Sequence, residues 1–123
     1  MLKVHTKNLG TVAVLCLQGQ IVIGETEILR NAVNSLCETS VVILDLARVT
    51  TVDAHGLGVM LELRERTHAK GSRFELMNVS EPMSVVLEIT RLNSVFQITS
   101  GVEFFPAVSR KQRAGLAALK SCA

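Results

Sequence analysis

The run VVILDL, residues 41–46, is the feature that most constrains how this chain can fold. It is apolar at almost every position, whereas a strand with one solvated face would alternate apolar and polar residues. Such a run is typical of a strand that is covered on both faces, as in a parallel sheet flanked by other elements. We therefore expect residues 41–46 to form an inner strand whose neighbours and covering layers come from the rest of the chain.

β-rich and helical patterns alternate on either side of this run. Residues 12–23 are β-rich and contain Gly19, which predicts two short strands around a bend. Residues 25–38 place apolar side chains in adjacent pairs every four residues, a spacing that predicts an amphipathic helix. A second helix is predicted over residues 57–70, with Gly71 just past its end.

The alternation continues towards the C-terminus. Residues 73–79 predict a strand, and Ser80 predicts the N-cap of a helix over residues 81–92, with Pro82 in its first turn. A short strand is predicted over residues 94–98. Ser100 marks another predicted helix start, but Pro106 would either kink this helix or begin it. The basic segment 110–123 is predicted to be either a last helix or a disordered tail.

This order predicts one α/β domain over residues 1–123, with its core at about residues 10–110. We expect a mixed β-sheet of four to five strands packed against amphipathic helices. Strands that alternate with helices after residue 41 should be parallel and joined by crossovers, while the N-terminal strands should add an antiparallel edge.

The composition excludes several classes of partner and location. A net charge of +2 is too small to indicate nucleic acid or a membrane surface, and Tyr and Trp are absent. No stretch approaches the roughly 20 apolar residues of a membrane span, and Lys3 and Lys7 interrupt any signal peptide. A cytoplasmic protein is therefore predicted.

Its three cysteines lack CxxC spacing, which predicts reduced thiols, with Cys16 and Cys37 in the core.

The stretch VTTVDAHGLGVM, residues 49–60, marks the change from strand to helix. Functional surface gathers at the carboxyl ends of strands in open α/β sheets. Asp53 can cap the following helix, and Gly56 and Gly58 permit close approach of backbone or partner. A phosphoryl group next to Asp53 would be attracted by the helix N–H groups and repelled by the carboxylate, which suits a switch. The residue at that position, Ala54, has no reactive group.

The order and spacing of these segments resemble the STAS domain family, named after sulphate transporters and anti-sigma factor antagonists. The resemblance rests on LDL at residues 44–46, on VTTVDAHGLG at residues 49–58, and on the Glu-Pro helix start at residues 81–82. It extends back through LQGQIVIGETEILRNAV, and it covers about residues 10–110. It implies a protein-interaction module of bacterial partner switching, whose unphosphorylated form binds a serine-kinase anti-sigma factor and releases a sigma factor.

The resemblance also implies which residues form the site. The family pattern V-x-x-[IV]-D-S-S-G-L-G places the phosphoacceptor serine at Ala54 and the next serine at His55, so the usual phosphoserine switch is predicted to be missing. Val22 replaces an acidic residue that several antagonists carry in the first loop. The predicted partner-binding residues are Val22, Gly24, Thr50, Thr51, Asp53, Ala54, His55, Gly56 and Leu57.

Several alternatives stay open. Thr50, Thr51 and His55 are candidate alternative phosphorylation sites, whereas ordinary turn hydrogen bonds by both threonines and a neutral, solvent-facing His55 are the plainer interpretations. A small-molecule or nucleotide-sensing module, or a scaffold in a signalling assembly, competes with the antagonist function. Nucleotide sensing is weakened by the absence of a glycine-rich phosphate-binding loop. No enzyme is expected, because the turn lacks the serine of a G-x-S-x-G motif and no Ser–His–Asp order is compelling. No cofactor is predicted, and no metal, because the histidines lack ligand spacing. The oligomeric state is left open.

Overall fold

Five strands and three helices alternate along the part of the chain that the structure, a computed structural model, describes, residues 1–99. They are β1 (Lys3–Leu9), β2 (Val12–Ile21), α1 (Glu27–Asn34), β3 (Val41–Val52), α2 (Ala54–Ala69), β4 (Arg73–Met77), α3 (Glu81–Ile89) and β5 (Gln97–Thr99), with a 3₁₀ turn at Leu92–Ser94. The strand order in the sheet is β1-β2-β3-β4-β5. Among the strands of residues 1–99, β1 alone is antiparallel to its neighbour. The predicted α/β fold, with a mixed sheet of four to five strands packed against helices, is confirmed, and the sheet has five strands.

The N-terminal edge of the sheet differs from the prediction. Residues 12–21 form one strand, because Gly19 introduces an irregularity in the pairing with β3 and no turn. Gly19 has φ +114, and a Cβ atom there would lie 2.3 Å from the carbonyl oxygen of Met1. The antiparallel edge strand is β1, which the sequence did not predict because its polar residues weaken the apolar pattern.

Three of the predicted helices are present with shifted ends. The first stops at Asn34, so Cys37 lies beyond it as an exposed free thiol, and its predicted place in the core is wrong. The second begins at Ala54, three residues earlier than predicted. The third has Ser80 as its N-cap, as predicted, and the Ser80 hydroxyl accepts a hydrogen bond from the Met83 N–H. The helix predicted from Ser100 and the segment 110–123 lie outside the described residues.

Cys16 lies in the core, as predicted, but the prediction of reduced thiols fails for it. Its side chain is buried on β2, and it takes part in a disulfide. A sequence pattern could not show this, because cysteines far apart in a sequence carry no spacing signal.

Strand β3 is buried on both faces, as its apolar run predicts. One face, with Val42, Leu44 and Leu46, packs against all three helices, and we call it the helical face of the sheet. Full burial of each side chain of this size stabilises the fold by about 1.5–3 kcal/mol. The opposite face, which we call the rear face, contains a separate buried cluster: Val12, Val14, Cys16, Ile43 and Met77.

Candidate functional site

The candidate site lies where three segments meet: the loop of residues 22–26, the end of β3, and the first turn of α2. Parallel pairing of β2 with β3 brings Ile21 opposite Val52. The loop that follows β2 and the helix α2 that follows β3 therefore begin next to each other. In such sheets, this carboxyl end of the strands is where binding surfaces form. The strand-to-helix motif of residues 49–60 therefore lies at this end of the sheet.

Asp53 joins the loop to the helix. One carboxylate oxygen, Oδ1, accepts a hydrogen bond from the Gly56 N–H at 2.7 Å, and Oδ2 accepts one from the Ile23 N–H at 3.0 Å. The predicted N-cap role of Asp53 is thus confirmed. Both bonds lower the pKa of the Asp53 carboxyl below its ordinary value, and the bond from Ile23 has the larger effect. The charge of His55 lowers this pKa by a smaller amount. The carboxylate is ionised at neutral pH.

Gly56 allows α2 to begin against the end of β2. A Cβ atom at this position would lie 1.9 Å from the carbonyl oxygen of Ile21, which is far inside van der Waals contact. That carbonyl oxygen also accepts a hydrogen bond from the Asp53 N–H at 3.3 Å. Gly56 and Leu57, both predicted to contact a partner, are buried, so they support the site from beneath.

Ala54 and His55 are the exposed residues of the first helical turn. Ala54 is the first residue of α2 and directly follows the capping Asp53. The Nε2 atom of His55 lies 3.3 Å from the hydroxyl oxygen of Thr26, a buried residue of the loop. His55 therefore faces solvent, as predicted, but it also makes a second connection between helix and loop. Val22, in the same loop, is half-buried and Gly24 is exposed.

Thr50 and Thr51 lie within β3, which continues to Val52, so neither residue is in a turn. Both threonines are exposed. The Thr50 hydroxyl donates a hydrogen bond to the carbonyl oxygen of Gly19 at 3.2 Å, which is a contact between neighbouring strands and not a turn bond. Thr51 is paired in register with Gln20.

A groove of about 420 Å³ extends the site towards α3. Within residues 1–99, its lining is largely apolar and includes no charged side chain: Val49, Thr50, Thr51, Val52, Ser80, Pro82, Met83 and Val86. Val85 and Ile89 on α3 are exposed large apolar residues. The prediction missed the contribution of α3, although the sequence held a signal. Apolar residues at 82, 85, 86 and 89 recur at helical spacing beside the buried Met83 and Leu87.

Charged side chains on α2 link it to α1. Glu62 and Arg66 form an i,i+4 ion pair at 3.7 Å, and Glu62 also accepts a hydrogen bond from Arg30 of α1 at 3.1 Å. Exposed pairs of this kind contribute little to stability, typically below about 1 kcal/mol. They do, however, fix α1 beside α2.

Within residues 1–99, no group of three or more His, Cys, Asp or Glu side chains is arranged to hold a metal ion. Over the same residues, no helix combines the length and apolar character that crossing a membrane would take.

The fold is similar to that of several solved structures. An anti-sigma factor antagonist from Mycobacterium paratuberculosis is 17% identical, with a TM-score of 0.72 over 81% of this chain and 86% of that chain. A putative anti-sigma factor antagonist from Thermotoga maritima is 21% identical, with a TM-score of 0.69 over 77% of this chain and 84% of that chain. A sulfate transporter family protein from Wolinella succinogenes is 22% identical, with a TM-score of 0.67 over 73% and 77%.

The sequence itself also matches a family. The STAS domain model matches residues 3–109, which include every strand and helix described above. The five-stranded mixed sheet and its three helices agree with the structures just compared. The chain therefore belongs to the STAS domain family.

Proposed function

We propose that this STAS domain is a cytoplasmic regulator of the anti-sigma factor antagonist type, acting in bacterial transcription or stress signalling. It binds a serine-kinase anti-sigma factor, or a related signalling protein, through the candidate site. Because Ala54 occupies the phosphoacceptor position, binding lacks the usual phosphoserine switch. The domain acts by binding and catalyses no reaction.

The observation that carries this proposal is the placement of Ala54. It is exposed at the first position of α2, next to the ionised carboxylate of Asp53. A phosphoryl group at this point would add a charge of about −1.5 to −2 beside that carboxylate, and repulsion would change the surface offered to a partner. A methyl group cannot carry the phosphoryl group, so the surface keeps one electrostatic state.

The groove beside the site supports a protein partner more than a nucleotide. Within residues 1–99, its lining includes no Lys, Arg or His, so no cationic side chain there would pair with a phosphate. An apolar groove with two threonine hydroxyls fits an apolar side chain of a partner, with hydrogen bonds at its rim. The nucleotide-sensing alternative therefore has less support than protein docking.

The proposal is tested with the purified chain, a kinase-type anti-sigma factor from the same genome, and ATP. We expect the wild-type chain to bind the kinase and to incorporate no phosphate. The Ala54→Ser variant should be phosphorylated and then released. Ala69→Ser, the same change at the exposed far end of α2, is the matched control and should behave like the wild type.

Two results would contradict the proposal. One is a folded wild-type chain that binds none of these kinases. The other is phosphate on Thr50, Thr51 or His55 of the wild-type chain accompanied by release of the partner, since the switch would then have moved to a neighbouring residue.

A further inference from the structure

A cavity of about 280 Å³, which we call the edge cavity, lies between the second half of α2, the start of β4 and the residues around the start of β5. The short length of β5 accounts for its position. This strand begins at Gln97 and pairs with β4 from Glu75 onwards, so it does not run beside Arg73 and Phe74. The edge cavity opens beside this part of β4.

The lining of the edge cavity is rich in basic side chains. Arg64 and His68 come from α2, where they are four residues apart and therefore lie on the same face of the helix. Arg73 joins them from the first position of β4. Among the described lining residues, Glu75 is the one acid. Three groups that can be cationic thus face one carboxyl.

The acids near these cations oppose them only weakly. Arg64 Nη1 pairs with Glu65 Oε1 at 2.9 Å, but the Glu65 side chain is 72% exposed, and such surface pairs contribute little. Arg73 Nε lies 3.3 Å from Oε1 of Glu75, which is buried. Burial raises the pKa of the Glu75 carboxyl, which favours its uncharged form. An incoming anion therefore meets an excess of positive charge.

We propose that the edge cavity binds a small molecule through a phosphate group, which Arg64, His68 and Arg73 hold. Guanidinium groups present planar sets of N–H donors that match the oxygens of a phosphate. The volume is just below the range of about 300–1,000 Å³ that is typical of small-molecule sites, which leaves room for a short organic group beside the phosphate. Val95 offers this group an apolar contact, and Gln97 offers an amide for hydrogen bonds.

The edge cavity is separate from the candidate docking site. At about 1.5 Å per residue, Arg64 and His68 lie about 15 and 21 Å along α2 from Ala54. No described residue lines both the edge cavity and the groove beside α3. Binding in the edge cavity is therefore measured without a protein partner, and its outcome is independent of the proposed function.

The proposal is tested by calorimetry on the full chain in a phosphate-free buffer of low ionic strength. The probes are glycerol phosphate, inorganic phosphate and glycerol. We expect glycerol phosphate to bind once per chain and glycerol not to bind. Arg64→Gln and Arg73→Gln should each weaken the binding of glycerol phosphate by about tenfold or more, since each removes a charged donor. Arg66→Gln is the matched control, an arginine of the same helix that pairs with Glu62, and it should leave the affinity unchanged.

The probes also distinguish the two sources of a phosphate group. Tighter binding of glycerol phosphate than of inorganic phosphate would assign the edge cavity to a phosphate ester, and equal affinities would assign it to the phosphate ion itself. Both results support the proposal. It is refuted if neither probe binds, or if Arg66→Gln weakens binding as much as Arg64→Gln does, because the attraction would then be a general effect of surface charge.

NMR on the wild-type chain locates the bound phosphate without relying on any variant. On addition of glycerol phosphate, we expect the largest changes in backbone amide shifts at residues 64–68 and 73–75. The largest changes at residues 53–56 would place the phosphate at the first turn of α2 and would overturn the assignment to the edge cavity.

Discussion

Two glycines in the first two turns of α2 should respond in opposite directions to the same substitution. A Cβ atom at residue 56 would lie 1.9 Å from the backbone oxygen of Ile21, whereas a Cβ atom at Gly58 has no neighbour within 4 Å. The clashing atom at Gly56 belongs to the backbone, so no side-chain rotation can relieve the overlap. Gly56→Ala must therefore displace the start of α2 from β2.

The magnitudes follow from two competing effects. Replacing glycine by alanine in a helix gains about 1 kcal/mol, and Gly58→Ala should realise most of that gain. Overpacking in a well-packed region typically costs about 1–3 kcal/mol, and the overlap at Gly56 places this variant at the upper end. We therefore expect Gly56→Ala to lower the free energy of unfolding by about 1–2 kcal/mol, and Gly58→Ala to raise it by about 0.5–1 kcal/mol.

Urea unfolding followed by circular dichroism measures both changes in the full chain. The two variants should differ by about 1.5–3 kcal/mol, which corresponds to roughly 6–12 °C in melting temperature at about 4 °C per kcal/mol. If Gly56→Ala were as stable as Gly58→Ala, the close approach of α2 to Ile21 would be refuted. The support that Gly56 gives to the site would be refuted with it.

Three further predictions concern charge. Because the folded-state pKa of Asp53 is depressed, its stabilising contribution should be complete above its ordinary value of 3.8 and be lost as the pH falls through the folded-state pKa. The melting temperatures of wild type and Asp53→Ala should thus differ at pH 7 and converge in acid; an unchanged difference at pH 2 would contradict this. Burial raises the pKa of Glu75, so Glu75→Gln should raise the melting temperature at pH 7. This gain should shrink as the pH falls through the raised folded-state pKa, and it should be absent below the ordinary value of 4.5. Thr51→Asp puts a charge into the groove and should weaken the binding of an anti-sigma factor at least tenfold, as measured by calorimetry. Asn8→Asp, the control at an exposed position on strand β1, should leave the affinity unchanged. Equal effects of the two substitutions would place the docking surface elsewhere.

The sequence predicted those parts of the fold whose cause is local. The apolar run of β3 indicated burial on both faces, and Ser80 and Asp53 marked two helix starts, because a cap depends only on a side chain and the next few N–H groups. Strand β1 was missed because its pairing with β2 stabilises it more than its own pattern does. The early end of α1 was missed for a similar reason, since apolar spacing continues past the last helical turn.

Most of the site's internal connections could not be predicted, because they join residues about 30 positions apart. The bond from the Ile23 N–H to Asp53 and the contact of His55 with Thr26 exist only because β2 and β3 end side by side. The buried states of Gly56 and Leu57 have the same origin. A motif places such residues in the right region but does not state which of them face solvent.

The geometry around Asp53 also accounts for how the site can keep its shape with alanine at residue 54. The loop and the first turn of α2 are held together by the bonds that Asp53 accepts from the Ile23 and Gly56 N–H groups, and neither bond involves the side chain of residue 54. If Ala54 occupies the phosphoacceptor position, as we propose, a methyl there removes a nucleophile without loosening the surface. Under the proposed function, the amount of complex then depends only on the concentrations of the regulator and its partner and on their affinity. A tenfold change in the ratio of bound to unbound regulator therefore needs a tenfold change in the concentration of free partner. Control of such a regulator has to act on its amount or on the state of its partner.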